Sequence, residues 1–258
     1  MSQIVQSPES AAPDLRRRQA ERARQVQVVM AWCGPVFTLC LFGGWGLMAG
    51  FIPLVPATDS AAQVAEHYAS NQTLRLIGLT LAMGGAFLTL PFSLVVSLQM
   101  RRAEPGVPMM SALQFGSGIV VTVISIVPMV FFMVGAFRPE RPAEITLLMN
   151  DFSYILLILP WPPVVGQLVA IAVVTLGDGT DEPVFPRWIA WFSLWLSFLV
   201  LPASLIVFFH DGVFAWTGMI GFWIPAAAFG SWFPVMTWAL LRAIRQEALA
   251  AGWEPGRA

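Results

Sequence analysis

Residues 105–137 read PGVPMMSALQFGSGIVVTVISIVPMVFFMVGAF, with no Asp, Glu, Lys or Arg between Glu104 and Arg138. A helix needs about 20 apolar residues to cross the hydrocarbon core of a bilayer, and this stretch exceeds that. Its apolar side chains fall on every side of a helix instead of along one stripe, as expected where lipid replaces water as the main solvent. Five further intervals, 25–58, 76–100, 152–177, 188–210 and 212–241, are equally free of charge. The pattern predicts an all-α membrane protein: a bundle of six proline-kinked transmembrane helices with spans near 29–54, 73–98, 111–136, 152–176, 188–209 and 217–241.

Composition agrees. Charged residues make up 11% of the chain and hydrophobic residues 57%, whereas a soluble domain carries about a quarter charged residues. The formal net charge of −1 hides an uneven distribution, because Arg16, Arg17, Arg18, Arg22 and Arg24 all precede the first span. An arginine run beside an apolar span is a topology signal with affinity for anionic lipid headgroups, and no nucleic-acid partner is expected. Six crossings put both termini on one side. If that side is the cytoplasm, Arg101, Arg102, Arg187, Arg242, Arg245 and Arg257 join the first five inside, and only Arg75, Arg138 and Arg141 lie outside. The positive-inside rule therefore predicts a multi-pass protein of the bacterial cytoplasmic membrane with cytoplasmic termini. Its parts are an Arg-rich amino-terminal segment (1–28), a six-helix transmembrane domain (29–241) and a cytoplasmic tail (242–258).

The segment through Gln27, with Glu9, Asp14 and Glu21, is too long and too acidic for the start of a cleaved signal peptide, so the first span is expected to stay attached. Cys33 and Cys40 sit seven residues apart in that span. On one helix their Cα atoms lie about 10 Å apart, too far for a disulfide, and they read as packing thiols.

Between the first two spans, Asp59 or Ser60 can cap a short external helix through Gln63, Glu66, His67 and Tyr68. The loop from Arg101 to Gly106 is a compact turn, and the connection holding Asp178, Asp181 and Glu182 resembles no folded domain. Prolines 35, 91, 128, 160, 162, 163, 202, 225 and 234 punctuate every span, each removing an amide donor. The sharpest interruption is expected at Leu159-Pro160-Trp161-Pro162-Pro163, and such breaks can either line a substrate cavity or simply bend a packed helix. Gly46 and Gly50 form a GxxxG pattern, echoed by Ala226 and Gly230, and intramolecular packing is the leading reading.

Chemistry-bearing residues concentrate at the external span ends. Candidate ligand-binding residues are Arg75, Asp151, His210 and Asp211 at that rim, Trp161 at the fourth-span break, Gln167 further along that span, and Trp191 with Trp195 on one helical face. Ordinary solvated helix ends and ion pairs are the leading reading of the rim, ahead of ligand binding, and Arg75 is an available counter-charge for its carboxylates. The absence of lysine excludes a Schiff-base cofactor and a Walker-type phosphate lysine. There is no HExxH, no Gly-rich nucleotide loop and no CxxC, so no cofactor and no metal are expected. Ser117, between Gly116 and Gly118, has no histidine within a span to act as its base. His67 and His210 are a weak haem pair.

Several stretches, Ala65–Asn71, Val96–Arg102, Ala136–Pro142, Val184–Trp188 and Phe214–Trp216, resemble an uncharacterised family of six-span integral membrane proteins of high-GC bacteria. The resemblance spans most of the chain and implies the fold, while transferring no activity. His210-Asp211 departs from the family pattern, where a basic residue is more usual, which weakens a histidine-dependent mechanism. The leading expectation is non-enzymatic binding or transport of an apolar or amphipathic small molecule, with membrane lipids as surroundings. A scaffold subunit with a membrane-protein partner, and a membrane enzyme or redox subunit using the external His and carboxylate groups, are the alternatives.

Overall fold

The computed structural model describes residues 8–251, so Arg257 lies outside the described residues. These residues form helices and connecting turns, with no strand among them. Six helical segments are long and apolar enough to cross a membrane: Arg17–Met48, Gln72–Met100, Met109–Phe137, Ala143–Gly177, Arg187–Val207 and Met219–Ala250. This is the architecture of a multi-pass membrane protein.

The first span is α1 (Pro8–Cys40) continued by a wider, π-helical stretch, Leu41–Met48. It stops short of the expected boundary at 54 because Gly50 adopts a positive φ of 74°, a conformation that glycine tolerates without strain. The chain then folds back over the bundle to α2 (Ala61–Ala69). The second span is α3 (Gln72–Ala86) and α4 (Thr89–Met100), and the third is the unbroken α5 (Met109–Phe137). α6 (Ala143–Ile158) and α7 (Pro162–Gly177) make the fourth, α8 (Arg187–Val200) and a 3-10 stretch (Leu201–Val207) the fifth. The sixth opens with a π-helical turn (Met219–Trp223) and continues as α9 (Ile224–Ala250).

The prolines act unevenly. The α6–α7 interruption falls where the proline cluster predicts it, and α8 gives way to 3-10 geometry at Pro202. By contrast, α1, α5 and α9 remain helical through Pro35, Pro128 and Pro234. The second span breaks at Phe87–Leu88, before Pro91, which then sits in the first turn of α4, where no amide partner is lost.

α5 is the central post, packed against α3, α4, α6 and α7, while α9 closes the bundle between α1 and α8. The α4–α5 seam is small and polar. Ser97 Oγ donates to Ser111 O at 2.8 Å, and the Thr89 and Thr122 hydroxyls meet at 2.7 Å. Gln167 of α7 reaches Ser93 Oγ at 3.4 Å. Such pairs hold helices together in lipid, where apolar packing alone offers little preference for a neighbouring helix over a lipid tail. The first and second spans come into close backbone contact at Gly44 and Gly78. A Cβ on Gly44 would lie 2.6 Å from Gly78 O, and one on Gly78 would strike Gly44 O. The small-residue contact is therefore intramolecular, as expected, but Gly44 makes it, whereas a Cβ on Gly46 would meet the Ile52 side chain and one on Gly50 the Arg75 guanidinium.

The outer surface is apolar: Leu39, Ile77, Val123, Val173, Phe198 and Trp238 are all exposed. Polar side chains such as Gln114, Asn150 and Ser153 are buried. This reversal of the soluble pattern suits helices immersed in lipid.

Candidate functional site

One end of the bundle carries a cap built on α2. Ser60 and Gln63 form a reciprocal capping box, with Ser60 N donating to Gln63 Oε1 at 2.8 Å and Gln63 N to Ser60 Oγ at 3.4 Å. This satisfies backbone amides that begin a helix without partners. Val64 and Tyr68 are the buried face of α2. Four bonds tie this end of the bundle together: Tyr68 OH to Asn150 Oδ1 at 3.1 Å, Val55 N to Tyr154 OH at 3.2 Å, Trp216 Nε1 to Val55 O at 2.8 Å and Gln72 Nε2 to Ala136 O at 2.7 Å.

Arg75 locks this cap and is 3% exposed. Its guanidinium donates to Ala49 O at 2.6 Å, His67 O at 2.5 Å and Ser70 O at 3.3 Å, and lies 3.0 Å from His67 Nε2. The aromatic faces of Phe51 and Tyr68 cover it at 5.1 and 5.5 Å. The sequence offered Arg75 as a counter-charge for the rim carboxylates, and the structure gives it backbone carbonyls and His67 instead. Carbonyls at the carboxyl-terminal ends of α2 and of the first span neutralise the cation, because the last carbonyls of a helix lack partners and carry the negative end of its dipole. Burial, then the Arg75 charge, pushes the His67 pKa down to about 4, opposed by a hydrogen bond to the Gly50 backbone. His67 is therefore neutral near pH 7. Tyr68 moves the other way, its phenol raised well above the usual value, chiefly by burial.

Beneath the cap is an aromatic box. Trp45 stacks against Phe51 with ring centroids 6.0 Å apart, and Phe132, Tyr154 and Phe222 surround it at 6.1 to 6.3 Å. Trp216 stacks on Tyr154 at 5.2 Å. Below this box a cavity of about 100 Å³ opens within the bundle. Leu41, Phe42 and Trp45 of the first π-helical stretch line it, with Leu157, Ile158, Pro160 and Trp161 at the fourth-span break. Val200 contributes from the end of α8, Ala203 from the 3-10 stretch, Phe222 from the second π-helical turn, and Pro225, Ala226 and Phe229 from α9. Four departures from regular α-helix, one in each of the first, fourth, fifth and sixth spans, thus converge on one cavity. Irregular backbone at membrane depth is tolerated where it is buried in protein or lines a cavity, so the irregularity and the opening share a cause.

The eight sequence candidates divide. Trp161 lines the cavity. Gln167 is buried in the α4–α5–α7 seam and borders a smaller void with Trp232. Trp191 and Trp195 are 63% and 59% exposed on the outer face and line no part of the cavity, which suits the lipid contact that was the leading reading of the pair over an aromatic chamber. Asp151 is half-buried within α6, bonded by Asn150 Nδ2 at 3.5 Å, with His210 within electrostatic reach. His210 and Asp211 are exposed beyond the fifth span. Trp45, Phe222 and Phe229, which build the cavity, were not singled out by sequence; the glycine-rich Phe42-Gly43-Gly44-Trp45-Gly46 run was the available signal.

The opposite end is tied by Gln99, whose Nε2 donates to Gln27 Oε1 at 2.6 Å and Glu247 Oε2 at 2.9 Å. Arg102 donates to Gln99 Oε1 at 2.5 Å and Ala243 O at 3.2 Å. Among the described residues, no group of three or more His, Cys, Asp or Glu is placed to hold a metal ion. No protein-family model, curated protein or solved structure matches this chain.

Proposed function

We propose that this chain binds or transports an apolar or amphipathic small molecule, without converting it, through the cavity at the fourth-span break. The convergence of irregular turns from four spans on one aromatic-lined opening is the observation that carries this reading. The size of the opening restricts the occupant. Drug-sized ligands fill cavities of roughly 300–1,000 Å³, whereas an apolar cavity of about 150 Å³ takes a benzene-sized ring. About 100 Å³ holds a chain end or part of a ring, with the remainder of a larger molecule lying in the surrounding lipid.

The same proposal places the protein in the bacterial cytoplasmic membrane with its termini inside and α2 as an external helix, on the arginine distribution, and takes the proline-rich fourth-span break as a kink. A membrane enzyme or redox subunit draws little support, since His67 is engaged by Arg75 and His210 stands in an exposed loop. A scaffold role has one observation in its favour, an open groove along α3 between Gln72 and Gly85, bordered by Phe137, into which a partner helix or a lipid chain would fit.

Native mass spectrometry of protein released from lipid nanodiscs tests the main reading. Wild type is expected to retain an apolar species that Ala226→Phe, which fills the cavity, releases. Equal retention by both would remove the cavity from the function.

A further inference from the structure

We infer that the open groove along α3 holds one acyl chain of an anionic phospholipid, with the headgroup phosphate on Arg138. The inference is independent of the cavity at the fourth-span break.

Leu76, Ile77, Leu81 and Gly84 of α3 line this groove with Phe137 of α5. A Cβ on Gly84 would meet nothing within 4 Å, so no other span fills the space there. Midway along, Thr80 Oγ1 donates to Leu76 O at 2.7 Å, and the groove therefore presents hydrocarbon without asking for a hydrogen bond. Its extent selects the occupant. Gln72 to Gly85 is about 20 Å of helix at 1.5 Å per residue, and one leaflet with its headgroups is about 20 Å deep. The second span breaks at Phe87–Leu88, just past the inner end of the groove. A partner helix would run on through the other leaflet, whereas an acyl chain ends at mid-membrane.

Charge selects the headgroup. Gln72 Nε2 donates to Ala136 O at 2.7 Å and Phe137 O at 3.3 Å, which ties the start of α3 to the end of α5 and sets Arg138 at the mouth of the groove. The Arg138 guanidinium lies 5.7 Å over the ring of Phe137, which walls the groove. Arg138 is exposed, and among the described residues no carboxylate pairs with it, Glu140 included. Arg141, by contrast, donates to Val134 O at 3.1 Å. An arginine at the membrane surface draws anionic headgroups, and its planar fork matches two phosphate oxygens. Phosphatidylcholine carries the same phosphate but sets a cation beside it, so a headgroup without an ammonium is favoured.

Native mass spectrometry of the full chain released from nanodiscs holding equal amounts of phosphatidylglycerol and phosphatidylcholine, with matched chains, reads the bound lipid. Wild type is expected to retain one phospholipid, with about fivefold preference for phosphatidylglycerol, the effect of one arginine near the membrane surface. Arg138→Gln is expected to bring the two lipids within about twofold. Gly84→Leu, which fills the groove, is expected to lose the retained lipid, while Gly116→Leu, on an open face of α5, keeps it. Equal retention by wild type and Gly84→Leu overturns the inference, as does a phosphatidylglycerol preference that survives Arg138→Gln. A wild-type dimer that Gly84→Leu dissociates, with no lipid lost, overturns it in favour of a second copy of the chain. If Gly84→Leu fails to fold, Arg138→Gln, which lies outside the spans, decides alone.

Discussion

At the scale of single residues, Arg75 shows how a cation is kept within a membrane-spanning segment without a carboxylate. Its donors run to the backbone of two helix ends and to a neutral His67, so Ala49 O at one end and His67 O with Ser70 O at the other share one side chain. Arg75→Met is expected to lower stability by about 2–4 kcal/mol, since removing one member of a buried network strands the others. Arg75→Lys should rescue little, because an ammonium cannot match the planar fork of donors. Thermal unfolding in detergent reads both. His67 makes a separate forecast. Its folded pKa, about 4, lies below the ordinary histidine value of 6.5, so the unfolded chain binds a proton more readily. Stability conferred by neutral His67 is fully present above about pH 6.5 and is lost as pH falls toward 4. His67→Gln should flatten that part of the pH profile; an unchanged slope between pH 6.5 and 4 would place the titration elsewhere. Arg75 and His67 both stood out in the sequence, but their pairing did not. The contacts join positions eight and 26 residues apart through backbone carbonyls, which no periodicity encodes.

At the scale of elements, the charge-free intervals made the six spans legible, and residue numbers alone placed the α6–α7 break at its proline cluster. The two π-helical turns were not legible, because no local rule distinguishes a wider turn from an ordinary one when the neighbours that stabilise it lie on other spans. The Ser60 cap of α2 was legible, but the cap of α5 was not. Glu104 accepts from Met110 N at 2.7 Å, Ser111 N at 2.9 Å and Ser111 Oγ at 2.7 Å, capping the central helix α5 from outside. Burial works against its charge, yet these donors outweigh burial and hold its carboxyl below the usual value. Asp178 orders the next loop on the same end by accepting from Thr180 N at 3.1 Å and Val184 N at 2.9 Å. Glu104→Ala should cost about 1–2 kcal/mol, the range of a lost helix cap, measurable as a lower midpoint of thermal unfolding. A larger loss is expected for Gly78→Ala, at least about 1–3 kcal/mol, because the new methyl meets backbone, which cannot change rotamer to make room. Gly84→Ala on the same helix meets nothing within 4 Å and is the matched control.

At the scale of the whole molecule, the two ends of the bundle differ in charge and in construction. The α2 end is closed by an aromatic cap around a single buried cation, whereas the other end is stitched by Gln27, Gln99, Arg102 and Glu247 across the first, second and sixth spans. Moving an arginine-rich end across a bilayer is opposed by both desolvation and the membrane potential, so the end bearing Arg17, Arg18, Arg22 and Arg24 should remain in the cytoplasm. The thiols make this testable. Cys33 and Cys40 lie within the first span, so replacing both by Ala gives a background without cysteine. In that background Asp59→Cys and Glu140→Cys should react with a membrane-impermeant maleimide on intact cells, while Arg18→Cys and Asp181→Cys should react only after lysis. The reverse pattern would invert the protein and put the Arg75 cap in the cytoplasm. Reaction of Asp59→Cys and Asp181→Cys from the same side would break the six-span arrangement itself, because those positions flank an odd number of crossings.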